Sequence, residues 1–515
     1  MRVPLRVRWL GRVRYRDAHA LQRALFASPD DYLVLLEHPH VYTLGVRADP
    51  ANVLVPPASV GAELVRTDRG GDVTYHGPGQ LVGYPILSVP MGPGAVPRYV
   101  HSIEQLVIDA LADVGLPGAG TLPGYPGVWV GDRKICAIGV RVSRGRSMHG
   151  FALNVDPDLS YFGHIVPCGI ADKGVTSLAA EGVGVDMREV VDAVVARASE
   201  RWGSVDRQDV AWERPALTEG LTIGARKPEW LRVKADMGED YRRVKRTMRS
   251  LKLVTVCEEA GCPNIFECWN DGTATFMING DRCTRACGFC LVDTRRPEAP
   301  DAEEPEHLAE AVARMGLAHA VITAVARDDL PDGGAAGFAA CVRAVRRRCP
   351  GITVELLIPD CKGDPEALGT IFQAWPDVLN HNLETVARLQ RLVRPSASYA
   401  RSLAVLGRAR EAGLVVKSGL ILGMGERGDE VLAAMRDLRH VGVEILTVGQ
   451  YLRPTASHLP VARWWQPEEF DVLRAAGEEM GFAHVQASPL TRSSYHARQG
   501  ADAARGHGAV ASTGS

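Results

Sequence analysis

Residues 283–290 read Cys283-Thr-Arg-Ala-Cys287-Gly-Phe-Cys290, and they follow an apolar run, Ala274–Asn279, with the residue pattern of a β-strand. Three thiols spaced by three and then two residues can face one inorganic centre from a single short loop. Structural zinc usually takes four ligands, commonly as two separated pairs. A loop of three suits an iron–sulfur cluster with one iron left open, and a zinc knuckle that borrows a fourth ligand is the alternative on spacing alone. A second set lies upstream, Cys257-Glu-Glu-Ala-Gly-Cys262-Pro-Asn-Ile-Phe-Glu-Cys268, spaced by four and then five residues. Two open three-thiol sets so close together are hard to reconcile with one zinc ion. They take six of the chain's 11 cysteines. In a chain without an export signal such a cluster points to metal or redox chemistry before disulfides. Cys136, Cys341, Cys349 and Cys361 stand apart and are expected to be ordinary core or surface residues.

Downstream of the thiols, β-branched apolar runs recur at Ala320–Val325, Ile352–Ile358, Asp377–Asn380, Val415–Leu422 and Ile445–Tyr451. Helical patterns such as Ala335–Arg348 and Ala397–Glu411 lie between them. That alternation predicts a parallel sheet of βα units, a full or partial barrel with its active site at the C-terminal ends of the strands. Upstream the pattern is mixed. Tyr32–Leu36 and Leu81–Leu87 read as strands, Val100–Val114 and Met187–Trp202 as helices, which predicts a mixed α/β domain. The fold class is therefore α/β with two domains, 1–212 and 228–498. They are joined by a linker at 213–227 within the polar, Pro- and Gly-containing run Asp206–Lys227. The small, polar segment 499–515 is expected to be disordered. The 515 residues carry 46% hydrophobic and 23% charged side chains and a formal net charge of -2. Those values favour neither nucleic acid nor a membrane surface as a partner, and with no secretory signal the expected location is cytoplasmic.

The first half carries a basic, glycine-rich loop, Arg69-Gly-Gly-Asp-Val-Thr-Tyr-His76-Gly-Pro-Gly-Gln80. Glycines let backbone N–H groups approach a bound oxygen-rich group closely, although a turn-rich hairpin would read the same way. Lys134 lies in the strand-like run DRKICAIGVRV, and Cys168 sits in IVPCGI after HGFALNV (His149–Val155). A lone buried cysteine is usually a small hydrophobe. A lysine beside it would lower its pKa, accept its proton and make it a nucleophile.

The C-x3-C-x2-C loop resembles that of the radical S-adenosylmethionine superfamily. The upstream C-x4-C-x5-C set resembles the lipoyl synthase family, as do RKPEWLR (Arg226–Arg232), ARDDLPDGG (Ala326–Gly334), NHNLETV (Asn380–Val386), KSGLILGMGE (Lys417–Glu426), GQYLRPT (Gly449–Thr455) and RSSYHA (Arg492–Ala497). The resemblance implies two 4Fe–4S clusters and S-adenosylmethionine. Cys283, Cys287 and Cys290 would hold the cluster that splits S-adenosylmethionine. Cys257, Cys262, Cys268 and Ser494, with Ser493 as the neighbouring candidate, would hold an auxiliary cluster that donates sulfur. Gly419–Glu426 would contact the adenine. Two departures stand out: Ala326 where the family often has an acidic residue, and Cys361 at a position often aromatic.

In the first half, the order RGGxVTYHGPGQ, KICAIG, HGxALNV, PCG, with LEHPHVYTLG (Leu36–Gly45) ahead of it, resembles the octanoyl-acyl-carrier-protein:protein octanoyltransferase family. The fold implied is that of the catalytic domains of biotin and lipoate protein ligases. Cys168 would carry the acyl group as a thioester and Lys134 would lower its pKa. Arg69, Gly70, Gly71, Asp72, Val73, Thr74, Tyr75, His76, Ala137, Ile138, Gly139, Gly150, Phe151 and Ala152 would bind the substrate. Together the two resemblances imply a bifunctional enzyme of protein lipoylation: octanoyl transfer to a carrier lysine, then sulfur insertion at C6 and C8. The implied partners are octanoyl-acyl-carrier protein, the lipoyl domains of 2-oxoacid dehydrogenase E2 or glycine-cleavage H protein, an electron donor such as ferredoxin or flavodoxin, and an iron–sulfur cluster carrier. The alternatives are an ATP-dependent lipoate ligase in the first half, a zinc-stabilised scaffold in the second, or one active half with the other serving as a docking module.

Overall fold

The computed structural model describes residues 3–167, 173–216, 220–222, 225–232, 237–251, 253–255, 258, 262, 264–270 and 275–512, with side chains omitted at 240, 268–270 and 505–512. The chain divides into two compact units, Met1–Trp212 and Glu213–Ser515.

In the first unit a mixed sheet runs in the order β12 (Val205–Asp209), β1 (Leu5–Arg12), β2 (Tyr32–Glu37), β6 (Gln80–Ile86), β10 (Arg146–Asn154), β9 (Arg133–Ser143), β8 (Tyr125–Val130), β7 (Gly120–Leu122), and β11 (Gly174–Val175) pairs with β9. A small sheet of β4 (Glu63–Arg66), β3 (Val41–Leu44) and β5 (Val73–His76) stands apart. Helices α2 (Ala95–Asp113) and α3 (Met187–Trp202) pack on the large sheet through stripes at helical spacing, Ile103–Leu106–Val107–Ala110 and Val190–Val191–Val194–Ala198. Each fully buried aliphatic side chain in that core contributes roughly 1.5–3 kcal/mol. The start of α3 is fixed by a capping box: Asp186 accepts from the Glu189 amide at 2.9 Å and Glu189 from the Asp186 amide at 2.8 Å. Strand β12 lies partly in the polar run that the sequence read as the join. Its polar side chains suit a sheet edge, and it pairs in parallel with β1 from Leu5↔Val205 to Trp9↔Asp209.

The second unit has the strand order β13 (Val254–Thr255), β14 (Thr275–Ile278), β15 (His319–Ala324), β16 (Thr353–Leu357), β17 (Val378–Asn380), β18 (Val416–Leu422), β19 (Ile445–Gln450), β20 (His484–Ala487). Every pair from β14 to β20 is parallel, and β13 joins antiparallel. Among the described residues β20 does not return to β14, so this is a partial (β/α) barrel. Across β16, β17 and β18, Lys417 donates to Glu355 at 2.9 Å with both side chains buried, and Asn380 donates to the same carboxylate at 3.1 Å. Charges survive inside a barrel only when paired and hydrogen-bonded in this way. Where the sequence predicts disorder from 499, the structure has a helix, Ala497–Ser512. Its buried alanines Ala501 and Ala504 pack on Val378 and Ile445 at the feet of β17 and β19. Small side chains at helical spacing allow that close approach, which a composition-based reading overlooks.

Candidate active sites

In the first unit a cavity opens between the Arg69–Gly71 loop, β5, β6, β9 and β10. It is lined by Arg69, Gly70, Gly71, Thr74, His76, Ala137, Ile138, Gly139, Gly150, Phe151 and Ala152, joined by Tyr15, Val82, Tyr84 and His149. Strand alternation sorts the expected residues. Thr74 and His76 of β5 point into the cavity, whereas Val73 and Tyr75 point the other way, into a small core with Tyr42 and Phe162. Asp72 is also off the cavity, holding the turn through Asn52 Nδ2 at 2.6 Å. The buried Arg69 guanidinium is pinned to Thr43, donating to its carbonyl at 2.6 Å and its hydroxyl at 2.8 Å. The Gly70 amide donates to the Val140 carbonyl at 3.1 Å, which lays the loop on β9. A Cβ on Gly139 would lie 3.0 Å from the Gly70 carbonyl oxygen, so a larger residue there would press the loop off β9 by a few tenths of an ångström.

Lys134 stands near the start of β9 with Nζ 4.7 Å from the centre of the Trp129 ring. Cys168 lies outside the described residues. The chain after it returns as β11, whose Val175 pairs with Lys134, and the Thr176 amide donates to the Lys134 carbonyl at 3.0 Å. Sequence reasoning left Tyr15, Tyr84 and His149 unassigned. His149 has a left-handed backbone (φ 59°), and its Nε2 meets Asp68 at 2.7 Å. Burial pushes the pKa of His149 down, as it does more strongly for His76.

In the second unit the three-cysteine loop follows β14, at the C-terminal end of the barrel strands. Its backbone is stitched to neighbouring segments: Cys283 N donates to the Asp293 carbonyl at 2.7 Å, Thr284 N to the Ala326 carbonyl just after β15 at 3.0 Å and Gly288 N to the Val393 carbonyl at 2.9 Å. Between the first two cysteines, buried Arg285 makes a fork to Asp328 (2.7 and 2.8 Å) and reaches Asp360 at 2.6 Å. Such charge-assisted, bidentate contacts fix a loop's position more firmly than neutral hydrogen bonds do. Burial pushes the Cys290 thiol up to about 12 and the Cys287 thiol upward too, and Cys290 senses the charges of both Cys283 and Cys287. Cys287 and Cys290 sit where burial disfavours bare thiolate, and with Cys283 beside them they form a donor set that fits a cationic iron–sulfur centre.

Glu384 faces the same loop. Its backbone is left-handed (φ 70°), and its Oε2 is buried without a hydrogen-bond partner among the described residues. A buried carboxylate beside the cysteines with one unpartnered oxygen fits the cationic amino group of S-adenosylmethionine. The sequence quoted Glu384 only within NHNLETV, and no local pattern marks it. Glu426 instead turns back on its own loop, accepting from the Gly423 amide at 2.7 Å and the Met424 amide at 3.0 Å, which rigidifies the Gly419–Glu426 turn.

Of the auxiliary set, Cys262 is described, Cys257 lies outside the described residues, and Cys268 falls in helix Ile265–Asn270 without a described side chain. The RSSY segment is drawn to this region. Asn264 Nδ2 donates to the Leu490 carbonyl at 2.8 Å, Tyr495 Oη to Glu267 at 3.1 Å, and the Arg492 charge acts on Cys262. Ser493 Oγ accepts from Asn382 at 2.6 Å, while Ser494 is partly exposed. Ala326 and Cys361 are both buried, and Cys361 lies against Gly333. Cys136 and Cys341 are buried, and Cys349 is half-buried.

Residues 14–199 match the family described as lipoyl protein ligase A/B catalytic domain. Residues 207–262 match the N-terminal domain of lipoyl synthase of the radical SAM family, and residues 277–438 match the radical SAM superfamily. Lipoyl synthase of Rubrobacter xylanophilus is 56% identical over 290 residues, covering 56% of this chain and 90% of that protein. That of Nocardia farcinica is 57% identical over 272 residues, covering 53% of this chain and 77% of that protein. A putative lipoate protein ligase from T. acidophilum, a solved structure, is 19% identical with a TM-score of 0.35, covering 41% of this chain and 90% of that one. No helix among the described residues is long and apolar enough to cross a membrane. The chain belongs to the lipoyl synthase family within the radical S-adenosylmethionine superfamily, and it carries ahead of that part a lipoyl protein ligase A/B catalytic domain.

Proposed function

We propose that the chain performs two consecutive steps of protein lipoylation, octanoyl transfer in the first unit and sulfur insertion in the second. The observation that carries the first step is the pairing of Val175, seven residues beyond Cys168, with Lys134 on β9, the strand that also gives Ala137–Gly139 to the cavity.

In the transfer step Lys134 accepts the Cys168 proton, and the thiolate attacks the thioester carbonyl of octanoyl-acyl-carrier protein. The carrier thiol leaves with that proton, and the octanoyl group remains on Cys168. A lysine amine of a lipoyl domain, from a dehydrogenase E2 or H protein, then attacks this thioester. The amide forms, and the displaced Cys168 sulfur is reprotonated through Lys134. Ala137, Ile138, Phe151 and Ala152 give the alkyl chain an apolar wall. The Lys134 amine lies over the Trp129 ring, which holds it in place.

For the second step, the cluster on Cys283, Cys287 and Cys290, when bound, delivers the electron that splits S-adenosylmethionine into a hydrogen-abstracting radical, and the auxiliary cluster supplies sulfur. Glu384 orients the amino group of S-adenosylmethionine. Ser494 would supply the oxygen ligand of the auxiliary set, and oxygen is a weaker partner than thiolate for iron, which suits a centre that gives up sulfur. The Tyr495–Glu267 and Asn264–Leu490 contacts hold its segment to the auxiliary loop. Electrons come from a ferredoxin or flavodoxin, and an iron–sulfur carrier rebuilds the spent cluster.

The test is the intact mass of an apo lipoyl domain incubated anaerobically with the full chain and octanoyl-acyl-carrier protein, with and without S-adenosylmethionine and reductant. An octanoyl adduct in both mixtures, becoming lipoyl only in the complete one, is expected. An adduct that forms only from free acid and ATP would overturn the transfer step. Octanoyl domain left unconverted by iron-loaded chain would overturn the second.

A further inference from the structure

Helix α4 (Glu239–Ser250) has one face that serves the fold and one that does not. Tyr241, Val244 and Met248 are buried. Between Tyr241 and Ser250 the chain carries five cations and no acid, in a protein whose formal net charge is -2. Arg242, Arg246 and Arg249, spaced by four and three residues, share one face, are exposed, and make no ion pair or side-chain hydrogen bond among the described residues. Helix electrostatics account for Arg249 in the last turn but not for Arg242 in the first, where the helix dipole opposes a cation.

The helix stands beside the auxiliary loop. Tyr241 packs on Phe266, in the helix that contains Cys268, with ring centres 5.4 Å apart. Lys245 pairs with Glu258, the neighbour of Cys257, at 3.4 Å. We propose that the Arg242–Arg246–Arg249 stripe docks the acidic surface of the octanoylated carrier domain, bringing its lysyl arm to the auxiliary site. This rests on the sulfur-insertion reading above. The stripe spans about 11 Å at 1.5 Å per residue, a length that matches a patch on a small domain rather than a nucleic-acid track. Because the apolar face of the helix is already buried in its own unit, it is not free to enter a lipid surface. An electron donor is a second acidic candidate, but a donor serves the Cys283–Cys290 cluster, whereas the stripe adjoins the auxiliary loop.

The experiment compares the full chain with the triple variant Arg242→Glu/Arg246→Glu/Arg249→Glu. Both are iron-loaded and driven by dithionite, and they act on either an octanoylated lipoyl domain of net negative charge or a short octanoyl-lysyl peptide. The expected result is a KM for the domain raised about tenfold or more, with a flatter salt dependence, and unchanged kcat and peptide turnover. An unchanged KM for the domain overturns the proposal. So does a defect seen only when a flavodoxin replaces dithionite, because the stripe then serves the donor. Equal loss on peptide and domain, with lowered iron content, assigns the arginines to folding and likewise overturns it. If the unaltered chain converts neither substrate, the sulfur-insertion reading fails and takes the proposal with it.

Discussion

His38 is held from both ends of its ring, Nδ1 donating to the Val13 carbonyl and Nε2 accepting from the Tyr84 hydroxyl, each at 2.7 Å. Burial pushes its pKa down to about 4, against 6.5 for a free histidine. Between those values the unfolded chain binds a proton that the folded one refuses, so stability falls as pH drops from about 6.5 and the loss is complete near 4. The full term is roughly 3 kcal/mol. His38→Gln should flatten the acid limb of the first unit's unfolding transition, followed by thermal melts between pH 4 and 7; an unchanged slope would place the effect elsewhere. Residues like this are invisible in sequence. The Arg69–His76 loop announced itself through glycines and a fixed order of residue types. His149 and Glu384 did not, because what marks them is a burial, a backbone angle and a missing partner that only the folded chain supplies.

At the level of elements, β6 and β10 touch so closely that a Cβ on Gly83 would lie 2.2 Å from the Phe151 ring. Gly83→Ala should therefore drive Phe151 into the cavity it lines. The expected outcome is octanoyl transfer lowered at least about tenfold, with butanoyl thioester favoured over octanoyl in relative kcat/KM. A variant with wild-type chain-length preference would show that the ring swings elsewhere. Most elements of the barrel were legible from periodicity alone: Val415–Leu422 became β18 at Val416–Leu422, and Ala335–Arg348 became a helix with the same ends. Parallel strands buried on both faces write continuous apolar runs, which are easy to read. The misses were edges. β12 is polar because an edge strand need not be apolar on both faces, β13 is two residues long, and the helix Ala497–Ser512 packs through alanines that carry no hydrophobic signal.

For the whole molecule, the question is what one polypeptide does that two would not. On the proposed function the product of the first unit is the substrate of the second, so tethering would raise the local concentration at which they meet. Cutting the chain between 213 and 227 and mixing the halves at equal, dilute concentration should slow lipoyl-domain production relative to the joined chain while leaving each half-reaction at its own rate. Equal overall rates would remove any benefit of fusion. The proposed closing of the auxiliary site by the RSSY segment bears on how the protein is made. On a ribosome adding about 5–20 residues per second, the segment that carries Ser494 emerges roughly ten seconds or more after both cysteine sets. Throughout that interval six thiols stand on a nascent chain with the proposed oxygen ligand still unsynthesised, open to stray metals and to air. Loading of the proposed auxiliary centre would therefore belong after translation, and the pace of synthesis would set how long the cysteines wait unprotected.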